Sequence, residues 1–155
     1  MKSQENQKNY KFMKAAFKEA KKAELENEVP VGAVVVYQNK IIARAYNKRE
    51  QMQSFHAHAE FLAMMKAAKK IGSWRLEDCD VYVTMEPCQM CAGAMIQSRI
   101  KNLYYGAKDP KAGAVGSVIN LMEIPFNHQI QVVSGMMAEE SQELLKSFFK
   151  KLREK

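Results

Sequence analysis

Asp80-Val81-Tyr82-Val83-Thr84-Met85-Glu86-Pro87-Cys88-Gln89-Met90-Cys91-Ala92-Gly93-Ala94 changes its period midway, and that change decides the fold. Over residues 80–84, Val81 and Val83 flank Tyr82 in the period of two that marks a strand. Pro87 has no N–H to lose in a first helical turn, so it fits the start of a helix over residues 88–98. Ala92, Gly93 and Ala94 are small and let that helix approach its neighbour closely. Residues 102–106 return to a strand pattern. Upstream, residues 31–37 and 41–46 are β-branched-rich runs parted by Gln38-Asn39-Lys40, which reads as a hairpin without the Asn-Gly turn signal. Residues 58–71 are rich in Ala, Leu, Met and Lys, with Gly72 as a C-cap, and read as a helix. Two strand–helix–strand steps in succession imply an α/β class with helices packed on a mixed sheet.

The rest of the chain fits round this centre. Residues 10–26 form a helix by spacing, with Met13, Phe17 and Ala20 apolar and a basic outer face, and Val29-Pro30 ends it. Residues 47–55 read as an irregular loop. Residues 107–116 are polar and contain two glycines, either a functional loop or an ordinary surface connection. A short strand is expected within 129–133. Residues 138–155 are predicted helical, with Leu144, Leu145, Phe148 and Phe149 apolar and Lys146, Lys150, Lys151, Arg153 and Lys155 basic. At 155 residues without a low-complexity tract, the chain is expected to be one domain, 1–155, with the polar residues 1–8 flexible. No apolar run is long enough to cross a bilayer, and residues 1–8 lack a secretory apolar segment. Three cysteines make no disulfide framework, so a reducing cytoplasm is the expected compartment. The net charge of +7 is the footprint either of a polyanionic partner such as nucleic acid or of a lysine-rich surface.

Chemistry concentrates in two stretches, His58-Ala59-Glu60 and Pro87-Cys88-Gln89-Met90-Cys91. A lone Cys-x-x-Cys serves redox pairs and structural zinc sites alike. The set of one imidazole, two thiols and one carboxylate is narrower. His58, Cys88 and Cys91 would fill three positions of a zinc tetrahedron, with the fourth open to water. Glu60 would stand beside that water as a proton shuttle. A structural zinc module closes all four positions and has no use for Glu60. Residues two apart do not share a helix face, so His58 and Glu60 serve one metal only if it lies off the helix N-terminus. Cys88 and Cys91, three apart in a first turn, face one way and have their thiol pKa lowered there. His56 precedes His58 by two and would point to the same side of an extended segment. It is read as an alternative ligand or a rim residue, and Cys79 as a small core residue.

Matching segments run through nearly the whole chain. They include Glu28-Val29-Pro30-Val31-Gly32-Ala33, Tyr46-Asn47, Ala57-His58-Ala59-Glu60 and Tyr82-Val83-Thr84-Met85-Glu86-Pro87-Cys88. Met90-Cys91-Ala92-Gly93-Ala94-Met95-Ile96, Ser98-Arg99-Ile100, Gly106-Ala107-Lys108-Asp109, Gly116-Ser117 and Phe148-Phe149 continue the series. In these the chain resembles the bacterial tRNA adenosine deaminases, which convert adenosine to inosine at the anticodon wobble position, within the cytidine deaminase superfamily. The H-x-E and P-C-x-x-C pair is the signature of zinc nucleobase deaminases generally.

The resemblance implies a three-layer α/β/α cytidine deaminase-like fold with a five-stranded mixed sheet, one Zn²⁺ per subunit and a homodimer. It implies His58, Cys88 and Cys91 as metal ligands and Glu60 as the catalytic acid–base. It further implies that Asn47 contacts the flipped adenine, that Val29 and Ala57 line its pocket, and that Asp109 meets a neighbouring nucleotide's sugar. Phe148, Phe149 and the basic tail would hold the tRNA anticodon stem-loop. The chain departs from the family at the pocket rim, where Ser54-Phe55-His56 replaces a proline and a small polar residue. Guanine deaminases share the metal chemistry, but net charge, Asn47 and the aromatic–basic tail favour single-stranded RNA.

Overall fold

The β-branched and aromatic runs become a five-stranded sheet in the computed structural model, which describes residues 2–154; Met1 and Lys155, both named in expectations above, lie outside the described residues. The strands are β1 (Gly32–Tyr37), β2 (Lys40–Tyr46), β3 (Cys79–Met85), β4 (Asn102–Ala107) and β5 (Gln131–Val133), ordered β2-β1-β3-β4-β5. The β1–β2 and β1–β3 pairs are antiparallel, while β3–β4 and β4–β5 are parallel, so the sheet is mixed as expected.

Alternation along the strands feeds two cores. Ala33, Val35, Val81, Val83, Leu103 and Tyr105 point to one side, where α3 (Ala59–Ile71) and α4 (Gln89–Ser98) supply Ala63, Met64, Ala67, Ala92 and Met95. Val34, Val36, Tyr82 and Tyr104 point to the other, against Phe12, Met13 and Ala16 of α1 (Lys2–Leu25). The helix α5 (Ala138–Arg153) packs against β4 and β3 on α1's side, where Ser141 Oγ lies 3.3 Å from the position of a Cβ at Gly106. A strand buried on both faces reads as a continuous apolar run, which is what residues 33–36 are. The architecture is a three-layer α/β/α sandwich. At Gly32 the layers touch backbone to backbone: a Cβ there would stand 2.1 Å from Ala16 O, so any larger residue would push α1 off the sheet.

Six details differ from the sequence reading. Helix α1 begins at Lys2, not near residue 10, so residues 2–8, expected to be flexible, form its first turns. Those residues include good helix formers, and the Asn9 side chain is anchored by a 2.7 Å hydrogen bond from the Tyr82 hydroxyl. The buried stripe of α1 runs through Phe12, Met13, Ala16, Ala20 and Ala23, leaving Phe17 on its flank under the Lys21 ammonium. The expected loop 47–55 contains a one-turn helix, α2 (Arg49–Met52). Pro87 lies outside α4, whose N-cap is Cys88. Likewise α3 starts after His58, its N-cap. The β1–β2 turn has two residues, Gln38 and Asn39, both at positive φ (50° and 64°), the geometry that Asn-Gly usually supplies.

The sheet brings distant segments to one edge. Antiparallel pairing puts the start of β1 and the end of β2 beside the carboxyl end of β3, since Ala33 pairs with both Ala45 and Val83. Parallel pairing sets the end of β4 there too, Ala107 opposite Met85. The segments before β1, after β2, after β3 and after β4 therefore meet. In open α/β sheets that is where ligands bind.

Candidate metal centre and active site

Two helix N-termini bring together the trio that could hold a metal. His58 and Cys88 both have the extended backbone of an N-cap, with φ/ψ of −78°/151° and −77°/176°. Cys91 is then the third residue inside α4, the position whose side chain returns toward the N-cap. His58 Nδ1 lies 3.6 Å from Cys88 Sγ and 3.5 Å from Cys91 Sγ. All three ligand atoms fall within 4.8 Å of one another, and among the described residues no other such group could hold a metal. The N-cap placement resolves the helix-face difficulty, because the metal position lies off the end of α3.

Glu60, second residue of α3, is 4% exposed beside this trio. Burial pushes its carboxyl up to about 7, against the opposing pull of its own helix amide and of the His58 charge. A carboxyl poised near neutrality suits proton transfer in both directions. The Cys88 thiol moves the opposite way, to about 3, chiefly through a hydrogen bond from Cys91, which overcomes its burial. Cys88 is thereby a thiolate ready for a cation. The same hydrogen bond, followed by burial, raises the Cys91 thiol, while the Phe61 amide bonds its sulfur.

His58 and Cys88 of the trio open onto a cavity of about 800 Å³, within the usual range for ligand sites, while Cys91 is buried behind them. Its walls include Val29, Asn47, Asp109 and Phe149 together with His58, Glu60 and Cys88. Asn47 is 7% exposed, and its Nδ2 donates to Val29 O at 3.2 Å while its Oδ1 accepts from the Arg49 amide at 3.1 Å. Asp109 Oδ1 accepts from the amides of Lys111 and Ala112.

Two expected pocket residues take other positions. Ala57 is fully buried and is not among the cavity walls, because its carbonyl and amide are tied to Lys48 and Ser54. Phe148 is 9% exposed, facing inward on the stripe Ser141-Leu145-Phe148, so only Phe149, 40% exposed, reaches the cavity. The two rings meet edge to face at 5.3 Å. His56 is no ligand; its ring packs edge-on between Phe55 and Phe61. Cys79 is buried in the core as expected.

The sequence reading missed two buried carboxylates. Glu28 is 1% exposed and accepts from the Glu50 and Gln51 amides at 3.0 and 2.7 Å, capping α2 from another segment. That bond holds the turn that carries Asn47. Glu86, 3% exposed, anchors the loop after β4. A charged residue inside an apolar stretch was the available signal in each case.

The MafB19-like deaminase family model matches residues 6–153. The tRNA-specific adenosine deaminase of Bacillus subtilis (strain 168) is 53% identical over 145 residues, 93% of this chain and 90% of the relative. That of Aquifex aeolicus (strain VF5) is 44% identical over 143 residues, 92% of this chain and 94% of the relative. A structure from work on A-to-I editing by tRNA:A34 deaminases superposes with a TM-score of 0.84 at 44% identity, covering 86% of this chain and 98% of that one. A guanine deaminase from Nitrosomonas europaea shares the fold, with a TM-score of 0.74 at 24% identity over 90% of this chain and 83% of that one.

Proposed function

The chain belongs to the tRNA-specific adenosine deaminase family, and from that premise we propose that it hydrolyses adenosine to inosine at wobble position 34 of a tRNA anticodon, releasing ammonia. The observation that carries this reading is the His58–Cys88–Cys91 triangle with Glu60 buried beside it, open to a cavity walled by Asn47, Asp109 and Phe149. Zinc is the metal that suits the trio. With Zn–S near 2.3 Å and Zn–N near 2.0–2.1 Å, a tetrahedron separates nitrogen from sulfur by about 3.6 Å. The two measured separations, 3.5 and 3.6 Å, agree with it. His58 Nδ1 and the two Sγ atoms would hold one zinc per subunit. Bound there, zinc supplies a Lewis acid that brings the pKa of water toward neutrality.

The protein's own groups carry the remaining steps. Glu60 takes a proton from the attacking water and delivers it to the adenine ring nitrogen, which makes C6 electrophilic. The oxygen adds at C6, Glu60 takes the remaining proton from the new C6 hydroxyl and passes it to the departing amine, and ammonia leaves as the C6 carbonyl of inosine forms. Burial keeps bulk water from competing for that proton. Asn47, its side chain fixed at both ends, presents a rigid polar edge to the base, and Val29 an apolar one. Asp109 faces the sugar of the neighbouring nucleotide. A base stacked in a duplex could not present C6 to a buried centre, so the substrate is a splayed loop nucleotide. Phe149 offers it a stacking face, and Arg49, Lys111, Lys146 and Arg153 at the cavity offer cations to its phosphates.

The enzyme is proposed to act as a homodimer in the cytoplasm. A second copy would cover large apolar side chains left open, among them Phe55 at 78% and Val118 at 62% exposed. No helix among the described residues is long and apolar enough to cross a membrane. Zinc-loaded protein should convert an adenosine-34 stem-loop to its inosine form and leave free guanine, adenosine and cytidine unchanged. Ammonia from guanine with an untouched stem-loop would move the protein to the free-base branch.

A further inference from the structure

Glu86 takes no part in the proton chemistry, yet its buried carboxylate gathers four donors from a single loop. Oε1 accepts from the Asp109 amide at 3.0 Å and from the Ser117 hydroxyl. Oε2 accepts from the Val115 and Ser117 amides, each at 3.0 Å. Burial by itself pushes this carboxyl up, but the Ser117 hydroxyl and the three amides together hold it below the usual carboxylate range. Backbone bonds run alongside: the Glu86 amide donates to Ala107 O at 2.7 Å and the Ala114 amide to Pro87 O at 2.8 Å. Gly113 completes the fit, since a Cβ there would stand 2.3 Å from the Glu86 carboxyl carbon.

That loop walls the cavity with Asp109, Pro110, Lys111 and Ala112, all of them at least partly exposed. It puts only Ala114 and Val115 into the apolar core. Packing alone therefore holds it weakly, and the carboxylate supplies most of its polar fastening. Glu86 also precedes the metal-binding Cys88 by two residues, so the fastening is rigidly linked to the metal centre.

We propose that Glu86 is a positioning residue that locks the loop 109–117 onto the strand delivering Cys88, and so holds Asp109 and Lys111 in register for an RNA substrate. This rests on the tRNA-deaminase reading above. A glutamine cannot replace the carboxylate, because whichever oxygen its amide nitrogen took the place of, at least one backbone N–H of the loop would lose its acceptor.

The test compares zinc-loaded wild type with Glu86→Gln and the milder Ser117→Ala, which removes one donor and leaves the carboxylate. In Glu86→Gln, exchange of the Asp109, Val115 and Ser117 amides accelerates at least about tenfold, while α3 and β3 amides and zinc content stay unchanged. KM for the adenosine-34 stem-loop rises about tenfold and kcat stays within about threefold. Ser117→Ala moves the same quantities in the same direction by about two- to threefold. Unchanged exchange at the three amides, loss of zinc, or a fall confined to kcat would overturn the proposal. If Glu86→Gln does not fold, Ser117→Ala decides it. A wild type that leaves the stem-loop untouched would remove the substrate reading, and the exchange comparison would still show whether Glu86 orders the loop.

Discussion

Glu60 and His58 stand two residues apart, and the structure separates their roles by depth. His58 is partly exposed at a helix N-cap, where its ring reaches the sulfurs, and Glu60 is buried within the first turn. Glu60→Ala should therefore keep one zinc per chain, measured by metal analysis, while deamination falls by about 10²–10⁴, the usual weight of a general acid–base. His58→Ala should lose both metal and activity. Retention of turnover in Glu60→Ala would end the shuttle assignment. The grouping of His58, Cys88 and Cys91 was legible because a metal set is written in residue types at short spacing. Glu28 and Glu86 were not, because their donors are amides 22 to 31 residues away. A backbone donor leaves no mark on composition.

Helix α5 shows what periodicity can and cannot assign. Its sequence places Phe148 and Phe149 side by side, and neighbours on a helix point about 100° apart, so only one can face the core. Ser141, Leu145 and Phe148 form the buried stripe, which turns Phe149 outward to the cavity. Phe149→Ala should leave the melting temperature nearly unchanged and weaken stem-loop binding at least about fivefold, the lower end of one base–aromatic stack. Phe148→Ala should cost about 3 kcal/mol and lower the melting temperature by about 6–12 °C. Equal effects of the two substitutions on binding, with no loss of stability, would contradict this division. In the β1–β2 hairpin, Gln38 and Asn39 hold positive φ without a glycine. Gln38→Asn with Asn39→Gly should raise stability by about 0.5–1 kcal/mol in denaturant unfolding. A lower midpoint would show that these side chains do more than turn the chain.

At the scale of the molecule, charge and topology act together. The net charge is +7, and four cations, Arg49, Lys111, Lys146 and Arg153, line the cavity together with Asp109 and Phe149. If each of the four displaces one counterion from single-stranded RNA, the log–log salt slope is about −2.8 and affinity falls about 50-fold from 50 to 200 mM salt. A slope near zero would place the RNA away from these side chains. Sedimentation should give twice the 17.7 kDa chain mass if the homodimer reading is right.

The sequence by itself determined the chemistry and the class of fold. A metal set is written in residue types at short spacing, and strands and helices in periods of two and 3.6, and both are local patterns that survive in one dimension. Only the tertiary structure decided which residues share the cavity. Antiparallel β1–β3 and parallel β3–β4 pairing bring four loop segments to one sheet edge, and that pairing depends on contacts between residues as much as 50 apart. It decided, too, that Ala57 and Phe148 are buried while Phe149 is open, because the direction of a side chain follows from the face its element buries, and that face is set by the partner it packs against.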